Sequence, residues 1–249
     1  MIDNPDVVPF GYWLLAFLPY NAGMTVEYTI ISIGTLSMNR LWGEGQPLRT
    51  SHATTTLVVE GKRRILVDPS LPAPALSARF FERTGKGLDS ITDVFCTTLR
   101  PVHRRSIEAL PAATWWTGPG ELETYREHLE GLQGNLERLS PDDKALVDAD
   151  LRLINRFKPA PDKFGEQVSL YPLFGPSPGS AGLLLTPSTS TVIIAGDAAL
   201  TVEHVERAQV WEGCFDCNAA MDSLKDLLEL ADVIVPGHDN FMLSPRHWL

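Results

Sequence analysis

Three short apolar runs, each closed by a loop of glycine, proline and ionisable residues, constrain the fold of this chain most. ITDVFC at 91–96 runs into TTLRPVH at 97–103, TVII at 191–194 into AGDA at 195–198, and VIV at 233–235 into PGHD at 236–239. Runs of this length and content read as strands buried on both faces. Loops at the ends of such strands are where a rigid sheet presents reactive groups. Further strands are expected at residues 28–33, 54–59, 64–67, 113–117, 168–173 and 182–186, with Glu60-Gly61-Lys62 as a hairpin turn. Helices are expected near 104–110, as a pair across 121–157 with Ser140-Pro141-Asp142-Asp143 as cap and first turn, and at 218–230. Two strand-rich halves, each followed by helices, predict an α/β fold: an αββα sandwich of two mixed sheets flanked by helices.

Composition narrows the function classes. The chain has 249 residues, 44% of them hydrophobic, enough apolar surface for a folded domain. The net charge of −10 argues against nucleic acid or an anionic membrane as partner. The 3 cysteines, Cys96, Cys214 and Cys217, make no disulfide framework and point to a reducing, cytoplasmic setting. No apolar run reaches the ~18 to 20 residues of a membrane span. Residues 7–20 are apolar, but no Lys or Arg precedes them, so they make a poor signal peptide. Residues 1–23 read as an arm on a domain at 24–249 that carries the helical insertion at 121–157. The excess of acidic residues at 121–150 reads as a solvated helical face. Cys214 and Cys217 have CxxC spacing but lack the second ligand pair of a zinc clip, so packed thiols at a helix start are the reading.

The order and content of the loops resemble the metallo-β-lactamase superfamily, the glyoxalase II and lactonase-like hydrolases, over about residues 28–240. ILVDP at 65–69, GPSPG at 175–179, AGDA at 195–198 and PGHD at 236–239 stand in that family's order. The resemblance implies the sandwich fold and a two-ion hydrolase site, but the ligand set is degenerate. Thr98, Arg100 and Pro176 stand where the family has the three histidines private to its first ion, and Val102 stands where it has an aspartate. His103, Asp197 and His238 are kept around the second ion, Asp197 at the bridging position. Asp68 matches a buried aspartate beside the metal loop, which would orient a ligand from behind.

Two imidazoles and a carboxylate suit one Zn ion with a position open for water, and also resemble the facial triad of Fe(II) sites. Arg100 would repel a neighbouring ion, or replace the lost one as a fixed charge that pairs with a carboxylate or phosphate. The plainer readings are a helix-start histidine at 103, a loop-bracing aspartate at 197 and a turn histidine at 238. His52 reads as a surface or satisfied histidine near the pocket rim, and His128, His204 and His247 as exposed. Two functions follow. In one, His103, Asp197 and His238 hold a Zn or Fe ion for hydrolysis of an ester, thioester or lactone, with Asp197 and Arg100 as catalytic groups. In the other, two-ion hydrolysis is impaired or lost, and the pocket binds a small anionic molecule through Arg100. The unrelated replacements at 98, 100, 102 and 176 tilt the reading toward the second, a degenerate relative or pseudoenzyme. A homo-oligomer is left open.

Overall fold

The computed structural model describes residues 25–134 and 140–245, so the expected arm at 1–23 and His247 lie outside the described residues. The first half supplies β1 (Glu27–Ser32), β2 (Thr55–Glu60), β3 (Arg63–Val67), α1 (Ala73–Thr84), β4 (Asp93–Cys96), β5 (Thr114–Thr117), α2 (Pro119–Gly134), α3 (Pro141–Ile154) and β6 (Phe157–Pro159). Its strands form a sheet in sequence order, antiparallel from β1 to β3 and parallel from β3 to β6. The second half supplies β7 (Val168–Pro172), β8 (Ala181–Leu185), β9 (Val192–Gly196), α4 (Val202–Glu206), α5 (Cys217–Leu230), β10 (Val233–Pro236) and β11 (Met242–Leu243). They form a second mixed sheet, β11-β10-β9-β8-β7, with β9 and β10 parallel.

Strand alternation sorts the apolar residues into layers. Along β3, Ile65 and Val67 pack with Phe95, Val192 and Ile194 between the sheets, whereas Leu66 packs with Leu76 and Phe80 of α1 on the outer face. Along β9, Ile193 and Ala195 turn the other way, onto Leu224 and Leu227 of α5. Both faces of these strands are therefore covered, which is why their sequences read as unbroken apolar runs. The expected αββα sandwich of two mixed sheets is what the chain forms.

Several elements differ from expectation. No α-helix forms at 104–110; a single 3₁₀ turn, Ile107–Ala109, stands there. Ser106 commits its N–H and its hydroxyl to the Pro69 carbonyl, at 3.0 and 3.1 Å, and the Arg104 Nε–H reaches the Leu99 carbonyl at 2.6 Å, so this segment bonds to neighbouring loops. Helix α1 was not anticipated: a proline at its N-cap, Pro72, and another in its first turn, Pro74, mask a pattern in which only Leu76 and Phe80, four apart, are buried. Phe157 ends the helical pair by pairing with Trp115 as the start of β6. Among the described residues, no helix is long and apolar enough to cross a membrane.

The parallel strands of both sheets end on one side of the sandwich. There β3 delivers Asp68, β4 delivers residues 97–103, β9 delivers Asp197 and β10 delivers His238, the usual place for a ligand crevice in parallel sheets. Backbone bonds stitch the two halves together at this rim: the Thr54 N–H donates to the Gly237 carbonyl at 2.7 Å, and that of Ala181 to the Thr97 carbonyl at 3.1 Å.

Candidate metal centre

Asp68 closes β3 in the left-handed region, φ 49°, a conformation aspartate tolerates better than most residues. Its Oδ1 accepts the Thr97 N–H at 2.9 Å, and its Oδ2 accepts the Thr97 hydroxyl at 2.7 Å. The same Oδ2 lies 3.0 Å from His103 Nδ1. A buried carboxylate only accepts, so Nδ1 carries the hydrogen and Nε2 is turned away from Asp68.

His238 is oriented by the same device with different partners. Its Nδ1 lies 3.2 Å from the Thr35 carbonyl and 3.0 Å from that of His52, acceptors that again place the hydrogen on Nδ1. His52 itself is satisfied through its ring, 2.9 Å from the Ile33 carbonyl. Its contribution to the site is the backbone oxygen that steers His238.

Both rings therefore aim Nε2 at one atom. Asp197 Oδ1 stands 3.2 Å from each Nε2, close to the ~3.4 Å edge of a tetrahedron with 2.1 Å metal–ligand bonds. One ligand atom from each of His103, Asp197 and His238 lies within 4.8 Å of the others, and all three residues are buried. Despite the short separation, His103 Nε2 and Asp197 Oδ1 make no hydrogen bond of acceptable geometry. Two imidazole lone pairs and a carboxylate oxygen facing one point form an acceptor set that suits a proton or a metal ion. Without an ion the proton is strongly held. Burial disfavours the charged His103, but the Asp197 and Asp68 carboxylates outweigh burial and raise its pKa to about 10. Burial likewise opposes the charge on Asp197, and His103 and His238 hold its carboxyl well below the usual range.

Gly196 makes this presentation of Asp197 possible. It sits at φ 54°, and a Cβ there would lie 2.4 Å from Thr97 Oγ1. The glycine of the AGDA motif thus lets β9 end against the Asp68–Thr97 knot.

The other oxygen of Asp197 faces a guanidinium. Arg100 points inward: its Nη1 donates to Asp197 Oδ2 at 2.7 Å, its Nη2 donates to the Pro176 carbonyl, and its guanidinium carbon lies 4.2 Å from the centroid of the Trp211 ring. Asp197 thus divides its two oxygens between a pair of imidazoles and a fixed cation. Thr98 turns its hydroxyl to Glu121 Oε1 at 2.8 Å, away from Asp197. The replaced positions 98, 100 and 176 now form a network of protein groups.

Two residues of this region escaped the sequence reading. Glu121, expected on a solvated helical face, is buried. Its Oε1 accepts from the Thr98 hydroxyl and the Leu99 N–H, and its Oε2 from the Ser177 hydroxyl and the Gly179 N–H. His204, expected to be exposed, is 9% exposed and lines a cleft of ≈ 780 Å³ together with Arg100, Asp197, Trp211 and His238. His128 is exposed as expected, and the Cys214 and Cys217 thiols lie outside the metal-ligand group.

The sequence pattern of the Metallo-beta-lactamase superfamily matches residues 48–238. No curated protein matches the chain. A Thermotoga maritima protein assigned to the metallo-beta-lactamases superposes with TM-score 0.65 at 17% identity, covering 88% of this chain and 99% of the other. AbOPH, a hydrolase of the beta lactamase superfamily, gives 0.59 at 14% identity, covering 89% and 91%. An N-acyl homoserine lactone hydrolase, solved with N-hexanoyl-L-homoserine at its catalytic metal centre, gives 0.57 at 18% identity, covering 87% and 93%. Identities this low speak for a shared fold.

Proposed function

Because the chain belongs to the metallo-beta-lactamase superfamily, we propose that it is a metal-dependent hydrolase built for one ion, held by His103, Asp197 and His238, and acting on an ester, thioester or lactone. One observation carries the reading. Both Nδ1 atoms are tied to protein acceptors, so both Nε2 atoms converge with Asp197 Oδ1 within 4.8 Å. The donor set fits zinc, and Fe(II) as the alternative. An ion at these atoms supplies a Lewis acid and brings the pKa of a water it binds to about 7.

The chain's own groups do the rest. Asp68 and the carbonyls of Thr35 and His52 hold the imidazoles in register. Arg100 pairs with Asp197 and fixes its orientation from the Oδ2 side, as a cation that needs no second ion. Two of the five guanidinium donors are engaged there, and the side chain remains 27% exposed. Donors facing the cleft can meet a carbonyl oxygen as it gains negative charge. Lactones enter the substrate class because a structural relative is a lactone hydrolase.

Metal analysis tests this. Protein purified from zinc-supplemented culture should carry about one ion per chain, and His238→Ala should lose it. No ion after supplementation, or two per chain, overturns the one-ion reading. The metal-free reading, a small-anion pocket, is favoured by the guanidinium at the site. In that case acetate or phosphate would raise the melting temperature, and Arg100→Ala would abolish the shift.

A further inference from the structure

His204 sits on a helix of five residues that is held from outside by a neighbouring loop. Thr201 precedes α4 but does not cap it; Asp239 Oδ2 accepts the Val202 N–H at 3.2 Å instead. The Gly237 and His238 N–H groups donate to the Ala199 and Leu200 carbonyls, both at 2.9 Å. The segment bearing His204 is thus pinned to the segment bearing the candidate ligand His238.

The released Thr201 hydroxyl settles which ring nitrogen of His204 is basic. Its oxygen lies 2.9 Å from Glu203 Oε2 and 2.8 Å from His204 Nδ1. Burial works against the Glu203 charge, yet hydrogen bonds from its own backbone, Trp42 and Thr201 keep its pKa below the usual value, so this carboxylate accepts. A hydroxyl has one proton, and Glu203 takes it. The oxygen can then only accept from His204, which places the hydrogen on Nδ1 and the lone pair on Nε2. Burial also pushes the His204 pKa down; Glu203 and Glu212 raise it and Arg207 lowers it. The ring is therefore neutral near pH 7.

Among the described residues, the other basic groups that line the cleft are committed, and the Glu212 carboxylate pairs with Arg40. The imidazoles of His103 and His238 face Asp197, and the Asp197 oxygens face them and Arg100. We infer that His204 is the proton-transfer residue of this cleft, a role that rests on the hydrolase reading. As the water oxygen bonds to the acyl carbon, its proton passes to His204 Nε2. As the acyl C–O bond breaks, the imidazolium returns that proton to the leaving alcohol oxygen. One water is consumed, and nothing is oxidised or reduced.

The test uses zinc-loaded protein with N-hexanoyl homoserine lactone and p-nitrophenyl acetate as probes. His204→Ala should lose about 100-fold in kcat, the lower bound of typical acid–base contributions, with KM and zinc content unchanged. Added imidazole should restore part of the rate, which loss of mere packing would not allow. In the metal-free protein, long-range 1H–15N spectra should place the His204 hydrogen on Nδ1, and Thr201→Val should weaken that preference. A His204→Ala protein that keeps its zinc and the full rate overturns the inference alone, as does an Nε2–H tautomer in the spectra. Zinc-loaded wild-type protein that hydrolyses neither probe removes the hydrolase reading and this inference with it.

Discussion

Asp197 is flanked by two kinds of positive partner, and the difference decides how the centre responds to pH. Arg100 is charged at every accessible pH, whereas His103 is charged only while it holds a proton. In the metal-free protein that proton is bound more tightly than in the unfolded chain, with a pKa raised from 6.5 to about 10. A raised imidazole pKa contributes stability that is fully present below the unfolded value and is lost as pH rises through the folded one. Chelated protein should therefore lose melting temperature between pH 6.5 and 10 relative to His103→Gln; parallel profiles would refute the assignment. Zinc competes with the same proton, so its affinity should rise over this range. His103, Asp197 and His238 were legible in the sequence because motif order marks them. His204 was not, because its importance comes from a cleft wall assembled by residues far apart in the chain.

At the scale of elements, the loop after β4 and the loop after β7 are joined by a carboxylate from α2. Glu121, in the first turn of that helix, accepts four hydrogen bonds, two from backbone N–H groups. Gly179 lets the second loop come this close, since a Cβ there would lie 1.8 Å from the Glu121 nitrogen. Glu121→Ala would strand the Leu99 and Gly179 N–H groups without acceptors, at about 1–3 kcal/mol each. Urea denaturation should show a loss of about 2–5 kcal/mol, with Glu121→Gln intermediate because an amide accepts on one side only. A loss under about 0.5 kcal/mol would mean that the clamp is dispensable. Sequence periodicity could not single out this glutamate from the acidic residues around it, since spacing shows which residues share a helix face and not what packs against them. The helix expected at 104–110 failed for a related reason: Ser106 and Arg104 had better partners outside the segment than a helical turn provides.

For the molecule as a whole, three apolar layers hold the fold, and the candidate centre sits at their rim. Removing an ion should leave the sandwich folded. Far-UV circular dichroism at 25 °C should be unchanged by chelator, while the unfolding free energy falls only by the linkage contribution, about 2.7 kcal/mol where zinc stood at 100 times its Kd. Cooperative unfolding on chelation would show instead that the ion is structural. The sequence by itself determined the layers and the ligand candidates: apolar alternation leaves a strand few ways to bury both faces, and short Gly-Pro-Asp-His loops mark where the strands stop. Only the tertiary structure decided how those residues are used. Whether Asp197 turns one oxygen to Arg100, whether Glu121 is buried and which nitrogen of His204 is basic all depend on hydrogen-bond partners brought together from distant parts of the chain.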